Sequence, residues 1–294
     1  MALSSRRHHA DLETELFYRH VMEILKAESV PFLIGGAYAL GGHTGIVRET
    51  KDIDLFVTPA DCERALRVLH QRGYRTELTD PVWLGKAFCG RKFADFIFRS
   101  GNGLAEVDWE WFTFAPSSTI FGIDVQLCPV EETIWSKAFT MERDRYDGAD
   151  IAHLILVCGP HLDWNRLIRR FGPHWRVLMS HLILFGFIYP AERDRVPSSV
   201  LKRLFSRLRA ELGPDAAPSR VCLGTLMSRQ QYLVDVEQWG YQDARFSSAA
   251  LSAEELRDWR ERILAENERT RQKTGVFADE SEKIAATRTR SREA

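Results

Sequence analysis

The chain has no two cysteines at CxxC spacing; its five (Cys62, Cys89, Cys128, Cys158 and Cys222) are odd in number and widely separated. That argues against a disulfide framework and for reduced, mostly packed thiols in a cytosolic protein. Neither sign of charge is in excess: 40 Lys and Arg stand against 41 Asp and Glu. A general attraction to polyanions is therefore not expected, although a local basic patch remains open. The opening MALSSRRHHADLETELF has no apolar stretch of the signal-peptide kind. The most apolar run, residues 177–189, contains His181 and is short for a bilayer span. The expectation is a soluble, cytoplasmic protein with no membrane partner. Also missing are a Walker loop, a dinucleotide fingerprint and a GxSxG elbow around Ser4, Ser117 or Ser228. None of the nine histidines sits at metal-ligand spacing. There is no internal repeat and no heptad pattern.

What is present is an ordinary globular balance, 45% hydrophobic and 28% charged over 294 residues, enough for one large domain or two modest ones. Residues 10–28 carry apolar positions at helical spacing. VPFLIGG then reads as a short buried strand, AYALGGHTGI as the start of a helix, TKDIDLFV as a strand, and PADCERALRVLHQRGY as a helix stopped at Gly73. GRKFADFIFRSG and LAEVDWEWF suggest further strands, and IDVQLCPVEETIWSKAF passes from strand to helix at Pro129. After about residue 147 the strand signals give way to helical ones. The expected class is α/β (α+β), with a core at 1–150, a helical domain at 151–250, and a charged helix and disordered tail at 251–294.

One stretch carries chemistry. Residues 33–57 read LIGGAYALGGHTGIVRETKDIDLFV. Residues i and i+2 of a strand share a face, so Asp52 and Asp54 project together while Ile53 and Leu55 face the core. Two acids there are costly unless a cation lies between them, most naturally Mg²⁺. The glycines upstream let backbone approach a phosphate closely, and the helix start after them offers free N–H groups. A lone DxD more often belongs to a turn or a solvated strand edge. The ordered series of strand, glycine pair, helix, Arg48, Thr50 and DIDLFV is narrower.

That series resembles the polymerase-β-like nucleotidyltransferase superfamily, whose signature is a glycine pair followed by alternating hydrophobic residues and aspartates. More closely it is similar to the minimal bacterial nucleotidyltransferases, a group related to abortive-infection toxins. The resemblance implies a small mixed sheet flanked by helices, followed by a helical C-terminal region. It implies transfer of a nucleoside monophosphate from an NTP such as ATP, with Mg²⁺ or alternatively Mn²⁺ held by Asp52 and Asp54. Gly35 and Gly36 would hold the β- and γ-phosphates. The spacing from Gly36 to Asp52 is longer than the family's commonest pattern, and Gly42 fits that spacing better. FLI immediately before Gly35 favours the first pair, because it supplies the strand the motif requires.

A third acid has two candidates. FADFIF places Asp95 in an apolar strand, and AEVDWEWF places Asp108 in a similar setting. Asp95 is favoured, since its aromatic neighbours demand a charged partner. By resemblance, Lys137 would bind a triphosphate oxygen and Asp147 would orient it, within a set that includes Arg143, Arg145 and Asp150. Pairing between helices is the alternative for Arg145 and Asp150. Arg48 and Lys51 flank the acids and could contact phosphate or simply face solvent. Trp109 and Trp111 would share a strand face and could stack on a base, although core packing is the commoner role for such residues. WNRLIRRFGPHWRV and LKRLFSRLRAEL read as basic amphipathic helices that could form a positive wall for RNA. The acceptor stays open among a tRNA 3′ end, a protein hydroxyl and a small molecule. A non-catalytic nucleotide- or partner-binding protein of the same fold, and a toxin acting on tRNA, are the rival readings. Oligomeric state is not legible.

Overall fold

Apolar positions along the first helix dictate how the molecule begins to pack. Phe17, Tyr18, Val21, Met22, Ile24 and Leu25 recur with helical period and are all buried, forming one face of α1 (Ala2–Ala27). In the computed structural model, residues 2–211, 220–228, 230–247 and 252–274 are described. They divide into two compact units, residues 1–219 and 220–294.

After α1 come β1 (Leu33–Ile34), α2 (Gly36–Thr44) and β2 (Asp52–Phe56). The next helix, α3 (Pro59–Gln71), starts on Thr58, whose side chain accepts a hydrogen bond from the Asp61 N–H, with Pro59 fitting the first helical turn. It stops before Gly73, whose φ of 91° only glycine adopts without strain. Three strands follow: β3 (Arg75–Asp80), β4 (Leu84–Cys89) and β5 (Lys92–Ile97). They complete a five-stranded mixed sheet of order β1-β2-β5-β4-β3, in which β2 and β5 are parallel and the other neighbours antiparallel. One face of this sheet is core: Ile53, Leu55, Ala94, Phe96 and Ala87 are fully buried and belong to the same apolar cluster as α1 and α3.

The chain continues through α4 (Trp109–Thr113) and a hairpin of β6 (Ser117–Ile120) and β7 (Ile123–Gln126). The helices α5 (Val130–Lys137), α6 (Gly148–Cys158), α7 (Trp164–Phe171), α8 (Trp175–Ile188) and α9 (Ser198–Ala210) complete the first unit. The second unit holds β8 (Val221–Cys222), α10 (Leu233–Glu237), β9 (Gln242–Asp243) and α11 (Ala253–Thr274). β8 and β9 pair in parallel, and the buried Arg245 guanidinium clasps both carboxylate oxygens of Asp243.

The expected mixed α/β class and the helix-rich second half are what the structure shows. One local reading is corrected. LAEVDWEWF is not a strand: Asp108 caps α4 by accepting from the Glu110 N–H, so Trp111 is buried while Trp109 is 68% exposed. β3 and β4 carry no clear apolar alternation and went unpredicted. The charged helix expected after 251 is α11, and the tail expected beyond it lies outside the described residues. No described helix is long and apolar enough to cross a membrane.

Candidate active site

The site is built where β1 ends. After two strand residues the chain reaches Gly35 and Gly36, and α2 starts at once. The Gly35 N–H donates to the Asp54 carbonyl at 2.9 Å, which ties the turn to the acid-bearing strand. Neither glycine has room for a side chain. A Cβ at Gly35 would sit 2.2 Å from the Phe56 ring, and one at Gly36 would sit 1.7 Å from Asp54 Oδ2. Gly36 also has a φ of 54°. By contrast Gly41 and Gly42 lie within α2, where the Gly41 carbonyl accepts from Gly45 in the helix C-cap. The first glycine pair is the one that meets the acids.

β2 alternates as the sequence pattern predicts, with Ile53 and Leu55 buried in the core and Asp52 and Asp54 on the other face. In the parallel register with β5, Asp54 stands opposite Asp95. Asp52, Asp54 and Asp95 each offer an oxygen, and these three oxygens lie within 4.8 Å of one another. Burial, then repulsion from Asp52 and Asp95, raises Asp54 to about 7, with Lys137 and Arg145 pulling the other way. Asp95 is also raised, chiefly by burial, although Lys86 donates to its Oδ1 at 2.6 Å. Thr50 donates to Asp52 Oδ1 at 2.8 Å and so orients it rather than reaching outward. Three crowded carboxylates against a glycine turn form an all-oxygen donor set, which suits a hard divalent cation such as Mg²⁺.

Two tyrosines adjoin the acids and were not anticipated. Burial and the charge of Asp52 push the Tyr38 phenol up to about 12. Tyr18 is raised further, by burial and then by Tyr38 and the three acids, and its hydroxyl donates to the Lys51 carbonyl. Lys86 was missed too, because finding it requires knowing that LGKAFC is a strand beside FADFI.

A cationic group lies within electrostatic reach of Asp54. Lys137, at the end of α5, contacts Asp147 at 3.1 Å and Asp150 at 2.9 Å. Arg48 reaches Asp150 at 2.7 Å, and Arg145 reaches Asp147 at 3.4 Å. Burial works against ionisation of Asp150, but Arg48 and Lys137 hold its carboxyl below the usual range. Lys137, Asp147, Asp150, Arg48 and Arg145 thus form one ion-pair network.

Asp108 lies outside the acid cluster. Its two oxygens accept from Arg170 at 2.5 and 2.8 Å, and despite burial that pairing holds it below the usual range. The expected positive wall is neutralised along α7 and less so along α9. On α7, Arg166 pairs with Glu131 and Glu132, Arg169 with Glu110, and Arg170 with Asp108, Glu110 and Glu132. On α8 and α9, Arg176 and Arg207 both pair with Glu211.

No family model and no curated protein matches the chain. Solved structures do. The crystal structure of ANT(2″)-Ia in complex with adenylyl-2″-tobramycin is 18% identical, with a TM-score of 0.41, over 55% of this chain and 97% of that one. The lincomycin-bound lincosamide antibiotic adenylyltransferase LnuA is 17% identical, with a TM-score of 0.35, over 48% of this chain and 95% of that one. The Megavirus polyadenylate synthase is 16% identical, with a TM-score of 0.34, over 47% of this chain and 31% of that one. These neighbours carry the names of nucleotidyl-transferring enzymes. At such identities and scores the likeness assigns neither substrate nor residue role to this chain.

Proposed function

We propose that the chain is a divalent-cation-dependent nucleotidyltransferase that moves a nucleoside monophosphate from an NTP to an acceptor hydroxyl. The observation that carries this reading is the meeting of Asp52, Asp54 and Asp95 on one sheet face, against a turn where Gly36 has no room for a Cβ. Free N–H groups at the start of α2 add the anion-binding half of the site.

The three acids are the residues that would hold Mg²⁺, or Mn²⁺ in its place; bound there, such ions supply charge neutralisation on the triphosphate and at the α-phosphate. The chain's own residues do the rest. The turn at Gly35 and Gly36 receives the β- and γ-phosphates. Lys137 exchanges a carboxylate partner for a triphosphate oxygen, Asp147 orients its ammonium, and Arg48 lines the same side. Thr50 fixes the rotamer of Asp52. Asp95 takes the acceptor proton. The acceptor oxygen bonds to the α-phosphorus as the bridging α–β P–O bond breaks, and pyrophosphate leaves. ATP is among the NTPs such a site accepts.

The acceptor stays open among RNA ends, protein hydroxyls and small molecules. The pairing of the α7 arginines removes one reason to prefer RNA. Incubation with α-labelled NTP, Mg²⁺ and separate pools of these acceptors should yield labelled product that disappears in Asp52→Ala. Absence of label in every pool, with no metal-dependent NTP binding, overturns the reading. Metal-dependent binding without transfer would instead favour a non-catalytic nucleotide-binding protein.

A further inference from the structure

The row of residues that crosses the sheet through the acids continues past Asp95. Asp54 on β2 faces Asp95 on β5, Asp95 faces Lys86 on β4, and Lys86 faces Glu77 on β3. Lys86 therefore stands between two carboxylates, one inside the cluster and one outside it. Its ammonium takes Asp95, at 2.6 Å, while Glu77 pairs with Arg75. The ammonium also lies over the Phe93 ring, 4.2 Å from its centroid. The strand period leaves it no other direction. Gly85 backs onto Leu66 and Cys62 of α3, and Ala87 is fully buried, so the residue between them projects onto the acid face.

We propose that Lys86 is a resident cation of the acid cluster, offsetting the charge of Asp95 and so lowering how tightly the cluster binds a divalent ion in the absence of nucleotide. The inference rests on the metal-dependent reading of the site given above. Lys86 neutralises part of the charge that would draw a divalent ion to three unpaired carboxylates. A triphosphate adds negative charge back, so ion and nucleotide bind together more readily than the ion alone. Lys86 acts through Asp95 and is a positioning residue.

The test is Mn²⁺ binding to the full chain without nucleotide, followed by the electron paramagnetic resonance of the free ion. Wild type, Lys86→Met, Lys86→Gln, Lys86→Arg and Asp52→Asn are compared, with circular dichroism on each; two neutral variants guard against one failing to fold. Wild type should bind Mn²⁺ and Asp52→Asn should bind it far less. Removing the ammonium should tighten binding about tenfold, as expected for deleting a unit charge beside a partly buried ion. Lys86→Arg should stay close to wild type. A lysine serving only the fold would leave affinity unchanged or weaken it. That outcome, with wild type still binding and Asp52→Asn not, overturns the role of Lys86 and leaves the metal site standing. If wild type itself takes up no Mn²⁺, the metal-dependent reading fails, and the role of Lys86 with it.

Discussion

Asp54 and Asp95 face one another across the parallel strands β2 and β5, each carried to the same sheet face by the two-residue strand period. Asp52 joins them from two residues upstream. Burial, and then repulsion between like charges so close, raises Asp54 to about 7. A cation relieves that repulsion, and the chemistry proposed for the site depends on that relief.

The pH dependence of stability follows from Asp54. Its folded-state value of about 7 lies above the ordinary 3.8. Between those values the folded protein holds a proton that the unfolded chain has released. The stabilising contribution is therefore complete below about pH 4 and is lost as pH rises through about 7. In metal-free buffer, denaturant unfolding at pH 5 and pH 8 should show wild type losing more stability than Asp54→Asn, by on the order of a few kcal/mol. Parallel pH slopes for the two proteins would mean that Asp54 is not shifted. Adding Mg²⁺ at pH 8 should restore the wild type selectively.

Gly36 is predicted to be irreplaceable. A Cβ there would lie 1.7 Å from Asp54 Oδ2, at a backbone φ of 54°. Gly36→Ala should cost about 1–3 kcal/mol of stability through strain and displace the carboxylate. Mn²⁺ affinity should fall with it. Gly101→Ala, where the added Cβ meets only ordinary contacts with Trp83, is the control that should leave both quantities near wild type.

Arg170 is predicted to matter for stability and not for the acid cluster. It pairs with Asp108, Glu110 and the fully buried Glu132, whose Oε2 already lacks a hydrogen-bond partner. Arg170→Ala leaves that buried carboxylate with less compensation and should cost about 3–5 kcal/mol, read from the urea midpoint. Mn²⁺ binding by the folded variant should match wild type. A large loss of metal affinity would place Arg170 in the site.

Lys137 separates a nucleotide contact from an ion pair. Lys137→Ala should raise KM for the NTP more than it lowers kcat, because the interaction removed is with bound triphosphate. A variant that is only less stable, with unchanged KM, would reduce Lys137 to pairing Asp147 and Asp150.

How much of this could be read from the amino acids differs by element. Asp52, Asp54 and the glycine turn were legible because strand period and turn chemistry are local rules, written within 25 consecutive residues. Asp95 was favoured for its apolar neighbours, and its position against Asp54 comes from strand pairing, which no local rule supplies. Lys86 stayed hidden for the same reason, compounded by a strand that mixes Gly85, Lys86 and Ala87 instead of alternating. Asp108 misled because hydrophobic-Asp-aromatic fits a strand as well as a helix cap, and only the opposite exposures of Trp109 and Trp111 separate the two. The arginines of α7 looked like a basic surface because the acids that neutralise them, Asp108, Glu110, Glu131 and Glu132, come from α5 and from α4 with its cap, more than 30 residues upstream.

The most direct measurement follows two labels in parallel. The chain is incubated with Mg²⁺, the acceptor pools and ATP labelled either at the α- or at the γ-phosphate. The α-label should move to an acceptor while the γ-label leaves in pyrophosphate, and both events should vanish in Asp54→Asn. Transfer of the γ-label to an acceptor, or α-label transfer that survives in Asp54→Asn, would contradict the proposed reaction.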